Sequence, residues 1–471
     1  MSYRVVIAGA GPGGAVLARE LAAKGIAVTI YEKGEFSELG HNWSDAVEIA
    51  ALEAIGIEVP VLKGGRWEGA LVKRSGSDEG LFERHAIPRL KLFSPDYSSV
   101  KDIAFRMLIT DRRALGKMLI QQAAAAGAEI RYGCEALGLL YRERGAGGPG
   151  GVDVYGLKYK EAATGDIKET KADIVVESSG YQSTLRRSLP PSTGLAGAFV
   201  DADFGLVNRE VRVRDPILAK TDFIADHYRY GFHTGYQWSH MHNEARIDIG
   251  AGVRPDPANP DPKDLIEEFI ARHPSIKPEM VRGGRALCIV GRPLPNFATG
   301  GFIVIGDAAS TSVPTTGCGV GSALFAGLWA AGVIEEAALE SRSDLEKLWE
   351  FNKIFYRDHD RGPSLAALSA LRIALQDLGH DDLSFLMRRE IMDRETLEAA
   401  VNGRFVPPGL RTKLSSLLRG LAKPSLLLKL NQVVSTSTKI YRHYKRYPQS
   451  WDAAAFEKWS RRAEELFGKE E

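Results

Sequence analysis

The residues best suited to bind a cofactor stand near the start of the chain, in a short glycine-rich turn. An apolar run leads into Gly9-x-Gly11-x-x-Gly14, with Pro12 and Gly13 inside the motif. In a dinucleotide-binding turn the first glycine allows the sharp bend, and the second lets the backbone approach a pyrophosphate. The third permits close packing of a helix on a strand. The phosphates then meet the N-terminus of the helix that follows.

An acidic residue follows this motif at the spacing that a dinucleotide site needs. A second apolar run, 27–31, ends at Glu32, about twenty residues after the turn, and Lys33 is next to it. The Glu32 carboxylate is placed to accept hydrogen bonds from ribose hydroxyls. A lone glycine motif would be weak evidence, but the order strand, turn, helix, strand and acid predicts an adenine dinucleotide.

A second glycine-bearing segment, 301–309, indicates which dinucleotide this is. Its apolar run 302–305 is typical of a buried parallel strand, and Gly306 and Asp307 follow at the carboxyl end. Because ligands of open α/β sheets lie beyond the carboxyl ends of the strands, we expect Asp307 to accept from the ribityl chain of a flavin.

A turn and a small-residue helix complete this second segment. The cofactor contacts predicted here are Pro314, Gly317, Cys318, Gly319 and Val320. The N-terminus of such a helix carries partial positive charge and would face a flavin carbonyl oxygen. The alternative is a plain nicotinamide-binding protein, which needs no second cofactor-binding strand about three hundred residues after the first. The sequence therefore predicts FAD.

Composition limits the classes of partner. Lys and Arg total 61 against 60 Asp and Glu, which argues against nucleic-acid binding. The basic segment 439–447 is interpreted first as a solvated helix face and second as a membrane-surface contact. The three cysteines, Cys134, Cys288 and Cys318, lack metal-ligand spacing, and a four-cysteine iron–sulfur cluster is excluded, so we predict no metal.

The same reading predicts a cytoplasmic protein that is at most peripheral on a membrane. No run reaches the roughly 18 apolar residues that a spanning helix needs. The first predicted strand begins almost at Met1, so we expect no signal peptide.

The predicted fold class is an α/β FAD-binding Rossmann-type domain with an inserted antiparallel β-sheet substrate domain and a C-terminal helical region. Period-two patterns such as 236–241 and 245–250 predict the antiparallel sheet, and helical spacing predicts the last region. The expected pieces are 1–60, 103–180 and 285–345 for FAD, 61–102 and 181–284 for substrate, and 346–471 for the helices.

Several motifs together resemble the geranylgeranyl reductase family, within the p-hydroxybenzoate hydroxylase-like flavoproteins. Besides the two FAD motifs, the similar segments are 175–181, 186–191, Pro314-x-x-Gly-x-Gly319, Tyr236-x-Trp238, 423–430 and Tyr447-Pro448. The FAD motifs specify only the cofactor. The Tyr-x-Trp and C-terminal segments are the ones that indicate prenyl reductases.

The chain departs from this family at two places where substrate and flavin should meet. Many members carry a cysteine in the loop after the first acidic residue, and here Trp43 stands at that position. The family's sheet motif usually continues into an aromatic-proline pair, whereas 239–241 here is Ser-His-Met. The fold prediction is unaffected, but substrate and reaction are left more open.

Each candidate substrate residue has a structural and a functional interpretation. Tyr236 and Trp238 share one strand face, and either pack the core or line an apolar channel beside the flavin. Trp43 is either loop packing or a wall over the flavin. His240 continues the face of Tyr236, and is either a hydrogen-bonded structural residue or the proton donor.

The remaining cofactor predictions lie in the middle of the FAD-binding region. Arg112 opens a predicted helix, and contact with the pyrophosphate is favoured over an ordinary surface role. Gly180 ends a buried strand at the ligand-facing edge. The resemblance adds Asp45 and Ala46 in the loop around Trp43. Cys318 is interpreted as a small residue fitted near the flavin ring.

The resemblance implies an FAD-dependent reductase of carbon–carbon double bonds in a geranylgeranyl chain, carried on a lipid or a diphosphate. Hydride would pass from flavin N5 to one alkene carbon, and an acid or water would protonate the other. The alternatives are a flavin monooxygenase of an apolar or aromatic substrate and a flavin electron carrier. The electron donor, NAD(P)H or a ferredoxin, and the oligomeric state stay open.

Overall fold

A computed structural model describes residues 3–59, 61–63, 66–68, 82–143, 151–232, 234–243, 245–409 and 419–468. The glycine-rich segment 145–151, where the sequence predicts a hairpin loop, lies almost wholly outside these residues. Its two flanking strands, Cys134–Glu143 and Val152–Glu161, do pair as an antiparallel hairpin.

A six-stranded sheet carries both glycine-bearing segments. Its order is Ala298–Thr299, Phe302–Val304, Ile174–Glu177, Arg4–Ala8, Ala27–Tyr31 and Glu129–Arg131. All neighbours are parallel except the first two. The four residues 5–8 are almost fully buried, as expected of a parallel strand covered on both faces. Strands far apart in sequence therefore end at one edge.

An eight-stranded sheet lies beside it. Its order is Ile276–Ile289, Phe204–Arg214, Arg246–Val253, Gly235–Asn243, His227–Phe232, Phe82–Phe93, Val100–Asp111 and Ser44–Glu48. The pairs are antiparallel except that His227–Phe232 runs parallel to Phe82–Phe93. Two smaller sheets are formed by Cys134–Glu143, Val152–Glu161 and Ile167–Lys171, and by Val61–Lys63 and Arg66–Glu68.

This pairing differs from the predicted pieces at two points. Ser44–Glu48 and most of Val100–Asp111 were assigned to the FAD-binding pieces, yet both pair in the eight-stranded sheet. Buried side chains such as Val47 and Leu108 supply the same apolar pattern in either sheet, so the sequence alone does not distinguish them. The domain bounds stay a prediction.

Helices pack on both large sheets and form the C-terminal region. They are Pro12–Ala23, Ile49–Ala54, Arg112–Ala125, Thr184–Arg187, Pro262–Ala271, Val320–Leu339, Leu345–Lys353, Arg361–Gln376, His380–Arg388, Arg394–Val401, Pro424–Tyr444 and Ala453–Phe467, with a π-helical turn at Ile354–Asp358. The described residues after 346 are helical or loop, as predicted.

One described helix, Val320–Leu339, is long and apolar enough to cross a bilayer, by length and composition only. Of its most apolar window, 56% is buried inside the molecule. A Cβ added at Gly327 would lie 2.3 Å from the Gly13 carbonyl oxygen, because this helix packs tightly on Pro12–Ala23. Both observations are typical of a core helix.

Candidate functional site: a cofactor cavity between the two sheets

The glycine turn after strand Arg4–Ala8 is shaped by close backbone contacts. Gly9 has a φ of 97°, and a Cβ there would lie 2.6 Å from the Ser178 carbonyl oxygen. At Gly14 a Cβ would lie 2.7 Å from the Gly9 oxygen, and the Gly14 N–H donates to Ser178 Oγ at 3.1 Å. At Gly13 it would lie 2.7 Å from the Ala323 oxygen. Only glycine fits at these three positions. Without side chains there, the N-terminus of helix Pro12–Ala23 is open to an anion.

The Glu32 carboxylate is held in place at the edge of the same turn. Its Oε2 accepts from the Ala10 N–H at 2.7 Å, and its Oε1 accepts from the Gly34 N–H at 2.9 Å. An ionised carboxylate has about four lone-pair sites, so each oxygen keeps capacity for a ribose hydroxyl.

The second segment brings Asp307 to the opposite part of the cavity. Strand Phe302–Val304 leads into a short 3-10 turn, Gly306–Ala309, and Gly306 has a φ of 67°. Asp307 Oδ1 accepts from Ser312 Oγ at 2.9 Å. Burial raises the pKa of Asp307, although the Ser312 hydroxyl opposes this rise. A partly desolvated carboxylate at a strand end suits a ligand that donates hydroxyl hydrogens.

A single cavity of about 500 Å³ joins these parts. Of the residues predicted as cofactor contacts, those lining it are Gly9, Gly11, Pro12, Gly13, Glu32, Lys33, Asp45, Ala46, Arg112, Gly180, Gly306, Asp307, Gly317, Cys318, Gly319 and Val320. Two do not line it. Gly14 is buried in the helix–strand contact, and Pro314 lines a smaller cavity behind Tyr236 and Trp238. Cofactor sites typically measure about 300–1,000 Å³, so the volume fits such a ligand.

A chain of alternating charges crosses from this cavity into the eight-stranded sheet. Arg112 donates to Asp45 Oδ2 at 2.6 Å, and Arg209 donates to Asp45 Oδ1 at 2.7 Å. Arg209 also pairs with Asp248 at 3.0 Å. Burial alone would raise the pKa of both carboxyls, but the Arg209 charge, with other donors, holds both pKa values below their usual range. The sequence analysis missed Arg209 and Asp248, because neither lies in a motif.

The pairing of Arg112 bears on its predicted role. Its guanidinium already binds Asp45, and the side chain is largely buried at the lining of the cavity. A guanidinium has five N–H donors, so the ion pair leaves donors for a pyrophosphate. Contact with the pyrophosphate stays a prediction.

Aromatic side chains form the wall of the cavity on the eight-stranded sheet. The rings of Tyr236 and Trp238 lie 5.3 Å apart, and Tyr228 lies 5.1 Å from Tyr236. Trp238 Nε1 donates to Asp248 Oδ1 at 3.1 Å. The Tyr236 hydroxyl donates to the Thr316 carbonyl in the turn before Gly317. These side chains pack the sheet and also border the cavity, and their predicted role in lining a substrate channel stays a prediction.

His240 lines the cavity on the same face but is only 1% exposed. Burial lowers its pKa to about 3, although the Asp248 carboxylate opposes this shift. The ring is thus neutral near neutral pH. The predicted role as proton donor would have to use the N–H of a neutral imidazole, which is a weak acid.

Trp43 is one of the residues that line the cavity. Its ring stacks on His41, with centroids 4.3 Å apart and planes at 4°. A Cβ added at Gly284 would lie 3.2 Å from the indole, so the ring covers the backbone of strand Ile276–Ile289. Burial lowers the pKa of His41 to about 4, and the nearby Arg112 adds to this. The stacked pair therefore carries no charge near neutral pH.

Cys318 and Glu177 are two further buried side chains near the ends of strands or turns of the FAD-binding region. Cys318 is buried, and burial raises its pKa to about 12, so no reactive thiolate forms there near neutral pH. Glu177 is fully buried and accepts from the N–H groups of Leu185 and Arg186 and from Ser179 Oγ. These bonds fix the loop after strand Ile174–Glu177.

The FAD binding domain family model matches residues 2–325, more than half of the chain. The chain belongs to this family. Its cofactor is FAD, as the two glycine-bearing segments predicted, and the glycine turn, Glu32 and Asp307 fit that group. Gly9, Gly11, Glu32 and Asp307 line the cavity and would hold this group.

Curated relatives share nearly the whole length of the chain. The digeranylgeranylglycerophospholipid reductase of Sulfolobus acidocaldarius is 26% identical over 457 residues, covering 96% of this chain and 94% of the relative. The protein of the same name from Methanothrix thermoacetophila is 27% identical over 406 residues, covering 82% and 91%.

Solved structures share the fold. A geranylgeranyl bacteriochlorophyll reductase-like protein from Thermoplasma acidophilum has a TM-score of 0.68 at 18% identity, covering 92% of this chain and 99% of that one. A myxobacterial chondrochloren halogenase has a TM-score of 0.59 at 16% identity, covering 91% and 97%. Such likeness confirms the fold of a flavoprotein with a second sheet and C-terminal helices. It leaves the reaction to other evidence.

Proposed function

We propose that the protein is an FAD-dependent reductase of carbon–carbon double bonds in a geranylgeranyl chain carried on a lipid. The observation that supports this most is the full-length similarity to curated reductases of digeranylgeranylglycerophospholipids. The aromatic wall beside the FAD site agrees with it, because an isolated alkene offers no polar group and must be held by apolar contact.

In the proposed reaction FAD, when bound and reduced, supplies the hydride for one alkene carbon. The chain's own part is to place the alkene, and the aromatic side chains Tyr236 and Trp238 provide an apolar surface for it. Trp43 and its stacked partner His41 cover the cavity edge and limit entry of water. Thr316 and Asp248 fix the two wall side chains through hydrogen bonds, so the surface is rigid before substrate binds.

The second alkene carbon needs a proton, and His240, the predicted donor, is a poor acid. The lowered pKa of His240 keeps its ring neutral, and the indole of Trp43 does not exchange protons near neutral pH. We therefore propose that water in the cavity supplies the proton, and that both residues serve as parts of the wall.

The test uses the full chain loaded with FAD. The flavin is reduced by dithionite without oxygen, and the protein is mixed with digeranylgeranylglycerophospholipid in detergent. The mass of the lipid is then measured by mass spectrometry. A gain of one H₂ per double bond, together with reoxidation of the flavin, supports the proposal. Gly9→Ala, which should lack FAD, is the control. Unchanged lipid would refute the proposal, and lipid that gains oxygen atoms when air is admitted would favour the monooxygenase alternative.

A further inference from the structure

The connection between strands Phe204–Arg214 and His227–Phe232 carries three large apolar side chains that are exposed. Ile217 is 74% exposed, Leu218 is 44% exposed and Phe223 is 82% exposed. We call residues 215–223 the docking loop. A contiguous exposed apolar patch marks a contact with a partner or a membrane.

The docking loop is built firmly, so these side chains are held outward rather than left loose. Asp215 Oδ1 accepts from the N–H groups of Ile217 and Leu218 at 2.9 and 3.2 Å. Asp222 accepts from Ser275 through both its N–H, at 3.0 Å, and its Oγ, at 2.6 Å. The next residue, Ile224, is buried in the core of the eight-stranded sheet. The backbone is thus fixed at both ends of the loop.

The charges of the docking loop favour a lipid surface. Its two carboxylates turn toward the protein, where Asp215 pairs with Lys277 and Asp222 pairs with His273. Lys220, between the apolar residues, is exposed. A loop with apolar tips, an outward lysine and inward carboxylates matches the boundary between headgroups and acyl chains.

The shape of the docking loop argues against a second copy of the chain as its partner. Three side chains project from one short turn, whereas a stable dimer needs about 800 Å² from each partner. A small projecting turn inserts easily into a fluid surface and forms little of a flat interface.

The basic C-terminal segment 439–447, whose second interpretation is a membrane-surface contact, is less suited to membrane binding than the docking loop. Ile440, Tyr444 and Tyr447 are all buried against the body of the protein, and Lys445 pairs with Asp360 at 2.7 Å. Its apolar side chains therefore stabilise the helical region and are not available to a bilayer.

We propose that the docking loop inserts Ile217, Leu218 and Phe223 into the surface of a lipid bilayer. The reason for membrane binding rests on the proposed function, in which the substrate is a lipid. The expected binding itself rests only on the exposed side chains of the docking loop. The two strands that the loop joins carry Val207, Arg209 and Tyr228 of the cavity wall, so a docked loop would hold that wall close to the bilayer that stores the substrate.

The experiment measures binding of the FAD-loaded full chain to phosphatidylcholine vesicles, with and without phosphatidylglycerol, by co-sedimentation. The variant Ile217→Ser/Phe223→Ser should lose at least about tenfold in vesicle affinity, since each buried side chain of this size contributes more than one factor of ten. The matched control Ile167→Ser/Leu339→Ser removes side chains that are 66% and 82% exposed elsewhere, and should bind as the parent protein does.

Activity on lipid in detergent separates this inference from the proposed function. The loop variant should reduce detergent-dispersed lipid at the parent rate and lose rate only on lipid in vesicles. The inference is overturned if the parent protein does not bind vesicles, if the loop variant binds equally well, or if the control loses as much. A dimer that the loop variant abolishes would likewise overturn it, in favour of a second copy.

Discussion

Replacing Arg209 by methionine tests whether the buried charge chain stabilises the fold. The change keeps the aliphatic volume but leaves Asp45 with Arg112, and Asp248 with the Trp238 N–H at 3.1 Å and His242 at 3.6 Å. Removing one partner of a buried pair typically costs about 3–5 kcal/mol. Because both carboxylates keep another donor, we expect the free energy of unfolding to fall by about 3 kcal/mol at neutral pH.

The same variant should also change how stability depends on pH. Arg209 lowers the pKa of Asp45 and Asp248 in the folded protein, against the effect of burial. Groups with a lowered folded pKa stabilise above their unfolded pKa of about 3.9, and this stability is lost as pH falls through the folded value. The difference between parent and variant should therefore be full near pH 7 and shrink below about pH 4.

The measurement is urea unfolding followed by far-ultraviolet circular dichroism, with the same excess of FAD for each protein and a series of pH values. Arg461→Met is the control, because its pair with Glu457 is exposed at 71% and 64% and should contribute less than about 1 kcal/mol. A loss below about 1 kcal/mol for Arg209→Met, or a difference that stays constant between pH 7 and pH 3, would refute the reasoning.

Three further predictions concern the cavity. Gly9→Ala should abolish FAD binding, because its Cβ would meet the Ser178 carbonyl at 2.6 Å in a φ that alanine avoids; flavin absorbance of the purified protein checks this, and a yellow variant would contradict it. Trp43→Cys should change the accepted chain length without adding a thiol-like ionisation to the pH dependence of the rate. A new ionisation at about pH 8.5 with a large rate gain would show that the family cysteine takes part in the reaction. His240→Asn should leave the pH profile between pH 5 and 8 unchanged, since the pKa of His240 is about 3; loss of an ionisation in that range would assign it the proton.

The cofactor half of the site could be predicted from sequence because local rules determine it. Gly9 needs a positive φ and Gly13 needs a close helix contact, and both requirements leave a recognisable spacing. Glu32 and Asp307 follow buried strands, and parallel strands end at one edge whatever their separation in sequence. These constraints are visible without any tertiary information.

The substrate half was predicted less completely, because its contacts join strands whose pairing no local pattern specifies. Arg209 and Asp248 meet only because Phe204–Arg214 pairs with Arg246–Val253. Two single charges in period-two strands look like solvated positions, yet here they face inward and satisfy each other. The lowered pKa of His240 likewise depends on burial that its own strand does not reveal.

The strand order of the six-stranded sheet also determines when the sheet can form during translation. Arg4–Ala8 leaves the ribosome first, but its neighbour Ile174–Glu177 and the next strand, Phe302–Val304, emerge much later. At about 5–20 residues per second, translation to the last of these takes roughly 15–60 s. During that time the apolar first strand and the Gly13 face of its helix lack their partners. A nascent chain stalled before residue 302 should thus be a substrate for chaperones, and flavin loading is a step for the finished polypeptide.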